Sequence, residues 1–236
     1  MSNDAAERFY QASHALNVGN SKVPVLSTDQ AAAELLASPH RYQCVYKYLQ
    51  QHRSANVVEL GFGSPRLLGA LADGCTAYTI VDIVDRTGSA TLPANVRFQK
   101  ANLSNDFPFP DQSFDVAIAM MIVEHLFDPF HSFRELARIT TKGGKVFVNL
   151  PNIGSIRCRL QLLAGRMPVT SSGDWFEKRE WDGNHLHYFT VADTLRLAEV
   201  SGLRLDALHP VGKHVWLKRI RPALFCHEIS FEFTRL

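Results

Sequence analysis

Neither sign of charge is in excess in this chain: 25 lysines and arginines stand against 23 aspartates and glutamates, a formal net charge of +2 over 236 residues. That balance does not support a protein whose affinity rests on neutralising phosphates along a nucleic acid, so no nucleic-acid partner is expected. Long apolar runs are also missing. The longest, Val116 to Val123, has eight residues, against about 20 for a membrane-spanning helix, and no span is expected. Cysteine is scarce: Cys44, Cys75, Cys158 and Cys226 form no Cys-x-x-Cys pair and read as isolated thiols in a reducing compartment. Met1 to Arg8 lacks a basic start followed by an apolar stretch, so no secretory signal is read there and a cytoplasmic protein is expected. No internal repeat or low-complexity segment is visible. What is present is a composition 46% hydrophobic and 20% charged, enough at this length to build a core without disulfide or metal staples.

Residues 1–53 alternate short helical patterns with breaks and read as an N-terminal helical extension, the clearest pattern being Tyr42 to Leu49. From residue 56 the texture changes to short Val- and Ile-rich runs separated by turns and helical stretches, the signature of a parallel sheet covered by helices. Strands are expected at 56–60, 77–82, 96–99, 114–119 and 145–150, with a helix over 130–139 that stops at Gly143-Gly144. Residues 154–184 lose this rhythm and read as a lid or substrate-loop insertion in a domain spanning 54–236. Thr190 and Asp193 mark a capped helix that Gly202 ends. Strands near 203–208 and 228–233, joined by the basic stretch Lys213 to Arg221, close the sheet as an antiparallel pair at one edge. The expected fold is therefore α/β: a Rossmann-like, seven-stranded, mostly parallel sheet with flanking helices and an antiparallel edge strand.

Chemistry concentrates at Glu59-Leu60-Gly61-Phe62-Gly63-Ser64-Pro65, where the first strand ends and a helix begins. Glycines there let the backbone turn tightly and lie against a ligand. Asp82 follows Gly61 by 21 residues at the end of the second strand. In a doubly wound sheet these strand ends are neighbours, and an acid there accepts hydrogen bonds from two ribose hydroxyls. Together they describe a nucleoside site. A dinucleotide would require a third glycine at position 66, which is Arg66, and Glu59 would oppose pyrophosphate. A cationic nucleoside suits the pattern better than NAD.

With these residues the sequence resembles the class I S-adenosylmethionine-dependent methyltransferases, whose first motif runs acid-x-Gly-x-Gly at this turn. The resemblance continues through Asp82, Asn102 to Asp115, Glu124-His125-Leu126, Arg134 to Arg138, Lys142-Gly143-Gly144 and Leu150-Pro151-Asn152. His185 to Thr190 and Arg221 to Phe225 look like a branch containing methionine-biosynthesis accessory factors and methyltransferases of saccharides or secondary metabolites. The resemblance implies S-adenosyl-L-methionine as cofactor, with Glu59, Gly61 and Gly63 lining its methionine part and Asp82 holding the ribose. Asn102 would face the adenine beside the backbone of Leu103, and Met120 would lie near the sulfonium. Three positions depart from the pattern. Asn102 replaces a carboxylate but keeps an acceptor oxygen. Pro65 replaces the third glycine and suits a first helical residue after Ser64 as N-cap. The helix after the second strand is barely visible in Arg86 to Pro93, so that wall of the adenine pocket reads as a loop.

Methyl transfer from a sulfonium is an in-line displacement with an excellent leaving group, so the protein's tasks are alignment and exclusion of water. A base is needed only when the attacking group must lose a proton. His125, just after the fourth strand, is the leading candidate; a structural imidazole at a helix start is the competing reading. Glu124 and His185 are further catalytic candidates, with His185 also able to brace the loop. His185 and His187 form a His-x-His pair, placed on one face if the segment is a strand, but no third ligand is evident from spacing and no metal is expected. Trp175, Phe176 and Trp181 either stack on an acceptor or form a small core beneath the loop. The expected activity is methyl transfer to O or N of a small-molecule acceptor, with the oligomeric state left open. The alternative is a non-catalytic cofactor-binding accessory protein that controls a partner enzyme.

Overall fold

The structure, a computed structural model, describes residues 25–62, 65–85, 92–171, 181–212 and 215–236, together with Arg8, Thr87 and Glu177. Helix α1, Thr28–Ala37, begins where the Ser27 hydroxyl and the Gln30 side chain cap each other's backbone. Helix α2, Gln43–Gln51, leads into strand β1, Asn56–Leu60. A 3-10 turn, Pro65–Leu67, opens the short helix α3, Leu68–Ala72, and strands β2, Ala77–Asp82, and β3, Val96–Lys100, follow. Then come β4, Phe114–Met120, a 3-10 turn at Val123–His125, and helix α4, Pro129–Ile139. Asp128 accepts from Phe130 N–H and His131 N–H, and Pro129 takes the first helical position. Strand β5, Thr140–Pro151, is followed by α5, Ile156–Leu163. The chain ends with α6, Val191–Val200, β6, Leu203–Pro210, α7, Val215–Ile220, α8, Pro222–Phe225, and β7, Glu228–Arg235.

The strands form one sheet in the order β3-β2-β1-β4-β5-β7-β6. Neighbours from β3 to β5 are parallel. The reversed strand is β7, antiparallel to β5 on one side and to the outermost β6 on the other. The expected α/β sheet, with its antiparallel pair at one edge, is thus present. The order reverses between β1 and β4, and the carboxyl ends of these strands open the crevice where doubly wound folds bind ligands.

Alternation along β1 sends its side chains to opposite faces. Val58 and Leu60 join Phe133 and Leu136 on one face, while Val57 packs with Ile80, Ile118, Ala31, Leu35, Val45 and Leu49 on the other. Glu59 shares that second face, which α1 and α2 cover. The helix capped by Thr190 and Asp193 forms as its sequence indicates.

Two details differ from expectation. No break separates α4 from β5: the strand begins at Thr140, and Thr141 to Gly144 are absorbed as an irregularity between the Phe114–Thr140 and Val116–Lys145 pairs, with Gly143 at φ +78°. Residues 185–188 form no strand, so His185 and His187 do not share a sheet face; Phe189 alone makes a single bridge to Asn152. All four cysteines are free thiols. Among the described residues no helix is long and apolar enough to cross a membrane.

Candidate functional site

The turn after β1 is held from two sides. Gly61 adopts φ +74°, and a Cβ there would fall 2.6 Å from Ile122 Cγ1 and 2.8 Å from Ile122 Cβ. Only glycine accommodates both the conformation and the approach of the loop after β4. The Gly61 N–H donates to Val81 C=O at 2.8 Å, and the Phe62 N–H donates to Asp82 Oδ2 at 2.8 Å. Asp82 Oδ1 accepts from the Val84 N–H at 3.1 Å. Among the described residues each carboxylate oxygen has one partner, and each retains acceptor capacity, which fits the diol of a ribose. Gly63, Ser64 and the expected N-cap lie outside the described residues; Pro65 opens the 3-10 turn. Of the Arg86 to Pro93 stretch expected to form a loop at the adenine wall, Arg86 and Gly88 to Thr91 lie outside the described residues.

Glu59 sits one residue before the turn and is buried beneath α2. Tyr42 Oη donates to its Oε1 at 2.5 Å, and Tyr78 Oη donates to its Oε2 at 2.7 Å. Burial holds the Glu59 carboxyl above the usual carboxylate range, with the charge of Asp82 adding to the rise and the two phenols opposing it. The phenols themselves are pushed well above their ordinary value, first by burial and then by the Glu59 charge. The strand residue expected to line the methionine part is therefore the centre of a buried Tyr–Glu–Tyr cluster, with lone pairs beyond the two phenols.

Asn102 and Leu103, expected beside the adenine, lie in the 101–113 loop between β3 and β4. Asn102 Oδ1 accepts from the Ser104 N–H at 3.0 Å, an Asx-type turn that directs the amide oxygen inward along its own loop. Leu103 is buried in the core between the sheet and α4, and Met120 is buried at the end of β4. The loop is pinned by Arg138, whose guanidinium donates to both oxygens of Glu135 at 2.7 Å, to Phe107 C=O at 3.0 Å, and to Phe109 C=O and Asp111 Oδ1 at 2.8 Å. Glu135 Oε2 also accepts from the Phe107 N–H. Arg134 to Arg138 thus contains the brace of this loop.

The three expected catalytic residues converge. Glu124 is fully buried in the 3-10 turn after β4, and its carbonyl accepts from Leu186 N–H at 2.8 Å and His187 N–H at 3.2 Å. These bonds bring the 184–187 segment onto the turn. His125 and His185 rings then meet edge to face with centroids 4.8 Å apart. His125 Nδ1 lies 3.1 Å from the Asn184 carbonyl, an acceptor only, so Nδ1 carries the hydrogen. His185 Nδ1 lies 2.7 Å from Thr170 Oγ1, whose hydrogen goes to Asp182 Oδ2 at 2.7 Å. Burial lowers the His185 pKa, with Asp182 opposing. Neither Glu124 carboxylate oxygen has a hydrogen-bond partner among the described residues, and burial pushes its pKa up to about 8. His187 points elsewhere, its Nε2 3.2 Å from Phe127 C=O. Trp181 stands 60% exposed and does not form a core under the loop; Trp175 and Phe176 lie outside the described residues.

Sequence reading missed Tyr42, Tyr78, Thr170 and Asp182. Tyr78 alternates with Ile80 on the face that Glu59 shares, a signal that could have paired it with Glu59. Thr170 and Asp182 gave no signal, since their partners come from distant turns.

The family described as MetW, methionine biosynthesis protein, matches residues 42–233. A probable S-adenosylmethionine-dependent methyltransferase of Mycobacterium tuberculosis is 33% identical over 117 residues, covering 48% of this chain and 42% of that protein. A second, from Mycolicibacterium smegmatis, is 30% identical over 181 residues, 72% of this chain and 66% of that one. The chain thus matches under half of the first relative's length. The crystal structure of an S-adenosylmethionine-dependent methyltransferase from Mesorhizobium loti superposes with a TM-score of 0.62, at 16% identity, over 85% of this chain and all of that one. At that identity the likeness is one of fold.

Proposed function

The chain belongs to the MetW family and has the fold of the class I S-adenosylmethionine-dependent methyltransferases, and on that premise we propose that it methylates an oxygen or nitrogen of a small-molecule acceptor, a saccharide or secondary metabolite being the class in view. When bound, S-adenosyl-L-methionine supplies a methyl group on cationic sulfur. Asp82 accepts from the ribose hydroxyls, the glycine turn at Gly61 and Gly63 with Glu59 receives the methionine part, Asn102 and the Leu103 backbone line the adenine, and Met120 adjoins the sulfur. His125, with its lone pair on Nε2, takes the acceptor's proton; Glu124 and His185 flank it. The observation that carries this reading is the Asp82 carboxylate, buried at the end of β2 next to the strand that borders the sheet's reversal point, and tied to the glycine turn through the Phe62 N–H.

A second reading rests on the family's description, which names methionine biosynthesis and no methyl transfer. In it the chain binds the cofactor and controls a partner enzyme without turnover. An acceptor panel of hydroxylated and amino small molecules, scored by S-adenosylhomocysteine release, separates the two. Release above background supports methyl transfer; cofactor binding without release across the panel supports the accessory role.

A further inference from the structure

The cluster behind the 3-10 turn holds more electron-pair donors than a proton-transfer site requires. Glu124 is 0% exposed with both carboxylate oxygens lacking a partner among the described residues. A buried carboxylate in that state is costly unless a cation or a proton joins it. The charges of Arg41 and Glu228 act on it, and two imidazoles, His125 and His185, lie beside it. Hydrogen bonding places the ring hydrogen of each on Nδ1, so Nε2 is the lone-pair nitrogen in both. One ligand atom from each of Glu124, His125 and His185 lies within 4.8 Å of the others.

We propose that Glu124, His125 and His185 bind a divalent transition-metal ion of the zinc type. Two imidazoles and a carboxylate suit such an ion, with a fourth position left for water or an acceptor oxygen. Bond lengths of roughly 2.0–2.2 Å set tetrahedral donors about 3.4 Å apart, against donor atoms within 4.8 Å of one another here. The outer shell is built in the manner of metal sites, where the second ring nitrogen is fixed by a carbonyl or a carboxylate. His125 Nδ1 donates to Asn184 C=O. His185 Nδ1 donates to Thr170 Oγ1, which donates to Asp182. Asp182 is itself buried and accepts from the Thr170 and Ser171 N–H groups; these hydrogen bonds outweigh burial and hold it below the usual carboxylate range. Thr170 and Asp182 are positioning residues.

The other cluster of this kind, Asp106, His131 and Glu135, differs in both respects. Asp106 is 93% exposed and Glu135 is committed to Arg138 and the Phe107 N–H. Binding of the cation at Glu124 is independent of the methyltransferase reading. Its use rests on the methyl-transfer part of that reading and replaces the base role given to His125, whose Nε2 lone pair would be on the cation: an acceptor hydroxyl bound at the fourth position would release its proton to solvent more readily, with the three side chains serving as ligands.

The test is titration of the chelator-treated full chain with Zn²⁺ in competition with a chromophoric chelator, with Co²⁺ absorption as a coordination signature. One equivalent is expected to bind and to raise the melting temperature. Glu124→Gln and His185→Gln should each weaken binding at least 10-fold and alter the Co²⁺ spectrum; Thr170→Val should weaken it 10- to 100-fold, and His187→Gln should match wild type. If Glu124→Gln does not fold, the His185 and Thr170 variants carry the test. Absence of stoichiometric binding, or wild-type affinity in the His185 and Thr170 variants, overturns the site. S-adenosylmethionine affinity on the same samples reads the methyltransferase proposal separately, so either can fail alone.

Discussion

The Phe62 N–H donates to Asp82 Oδ2 at 2.8 Å, so the carboxylate that ends β2 holds the turn that ends β1. Two strands separated by a helix in sequence are thereby locked beside the crevice that opens between β1 and β4. The same carboxylate keeps lone pairs for a diol, which joins local fold to cofactor recognition in one side chain.

Gly61→Ala should destabilise the protein by about 2–3 kcal/mol, from the left-handed backbone and the displaced Ile122 together. Urea unfolding reads the stability and calorimetry the cofactor affinity, which should fall with it. An alanine variant as stable as wild type would mean that the turn and Ile122 relax freely.

Tyr42→Phe leaves Glu59 Oε1 without its phenol in a buried setting and should cost about 1–3 kcal/mol. Tyr78→Phe should cost a similar amount on the other oxygen. Chemical denaturation of both variants checks this, and two neutral substitutions would show that water replaces the phenols.

Arg138→Ala removes three hydrogen bonds to the 101–113 loop and the two that hold Glu135, for an expected loss of about 2–4 kcal/mol. Cofactor affinity should fall as the loop loosens. Arg138→Lys should not restore it, since an ammonium cannot reproduce the planar fork.

Much of this was legible in the sequence, and the reason is local. β1, β2 and β4 are short β-branched or apolar runs bounded by turns, Asp82 ends one of them, and Thr190 with Asp193 is a self-contained cap. The rest depends on distant pairing. His125 and His185 meet because Glu124's carbonyl receives the Leu186 and His187 N–H groups, a link that no periodicity encodes. The Thr140 start of β5 was hidden because Gly143-Gly144 reads as a stop, whereas the sheet takes it up as an irregularity beside Asp115.

Lys145 Nζ contacts Asp206, on an exposed stretch of β6, at 2.6 Å and the half-buried Glu232 at 3.2 Å. Both acids lie below their ordinary values of 3.8 and 4.5: Glu232 through His209 and then Lys145, and Asp206 through Lys145 and Thr234, which outweigh burial. Lowered folded values mean that their stabilisation is present above those ordinary values and is lost as pH falls through the folded ones. Lys145→Met should therefore cost about 1 kcal/mol at neutral pH, the upper end for solvent-screened ion pairs, with the gap to wild type narrowing below about pH 4. A pH-independent gap in unfolding free energy would contradict this.

The most direct test is calorimetric titration of wild type and Asp82→Ala with S-adenosylmethionine. Stoichiometric binding by wild type, weakened by about 1–3 kcal/mol in the variant, is the predicted result. No binding by the wild-type chain, or equal affinity in the two proteins, would contradict a cofactor site built on Asp82.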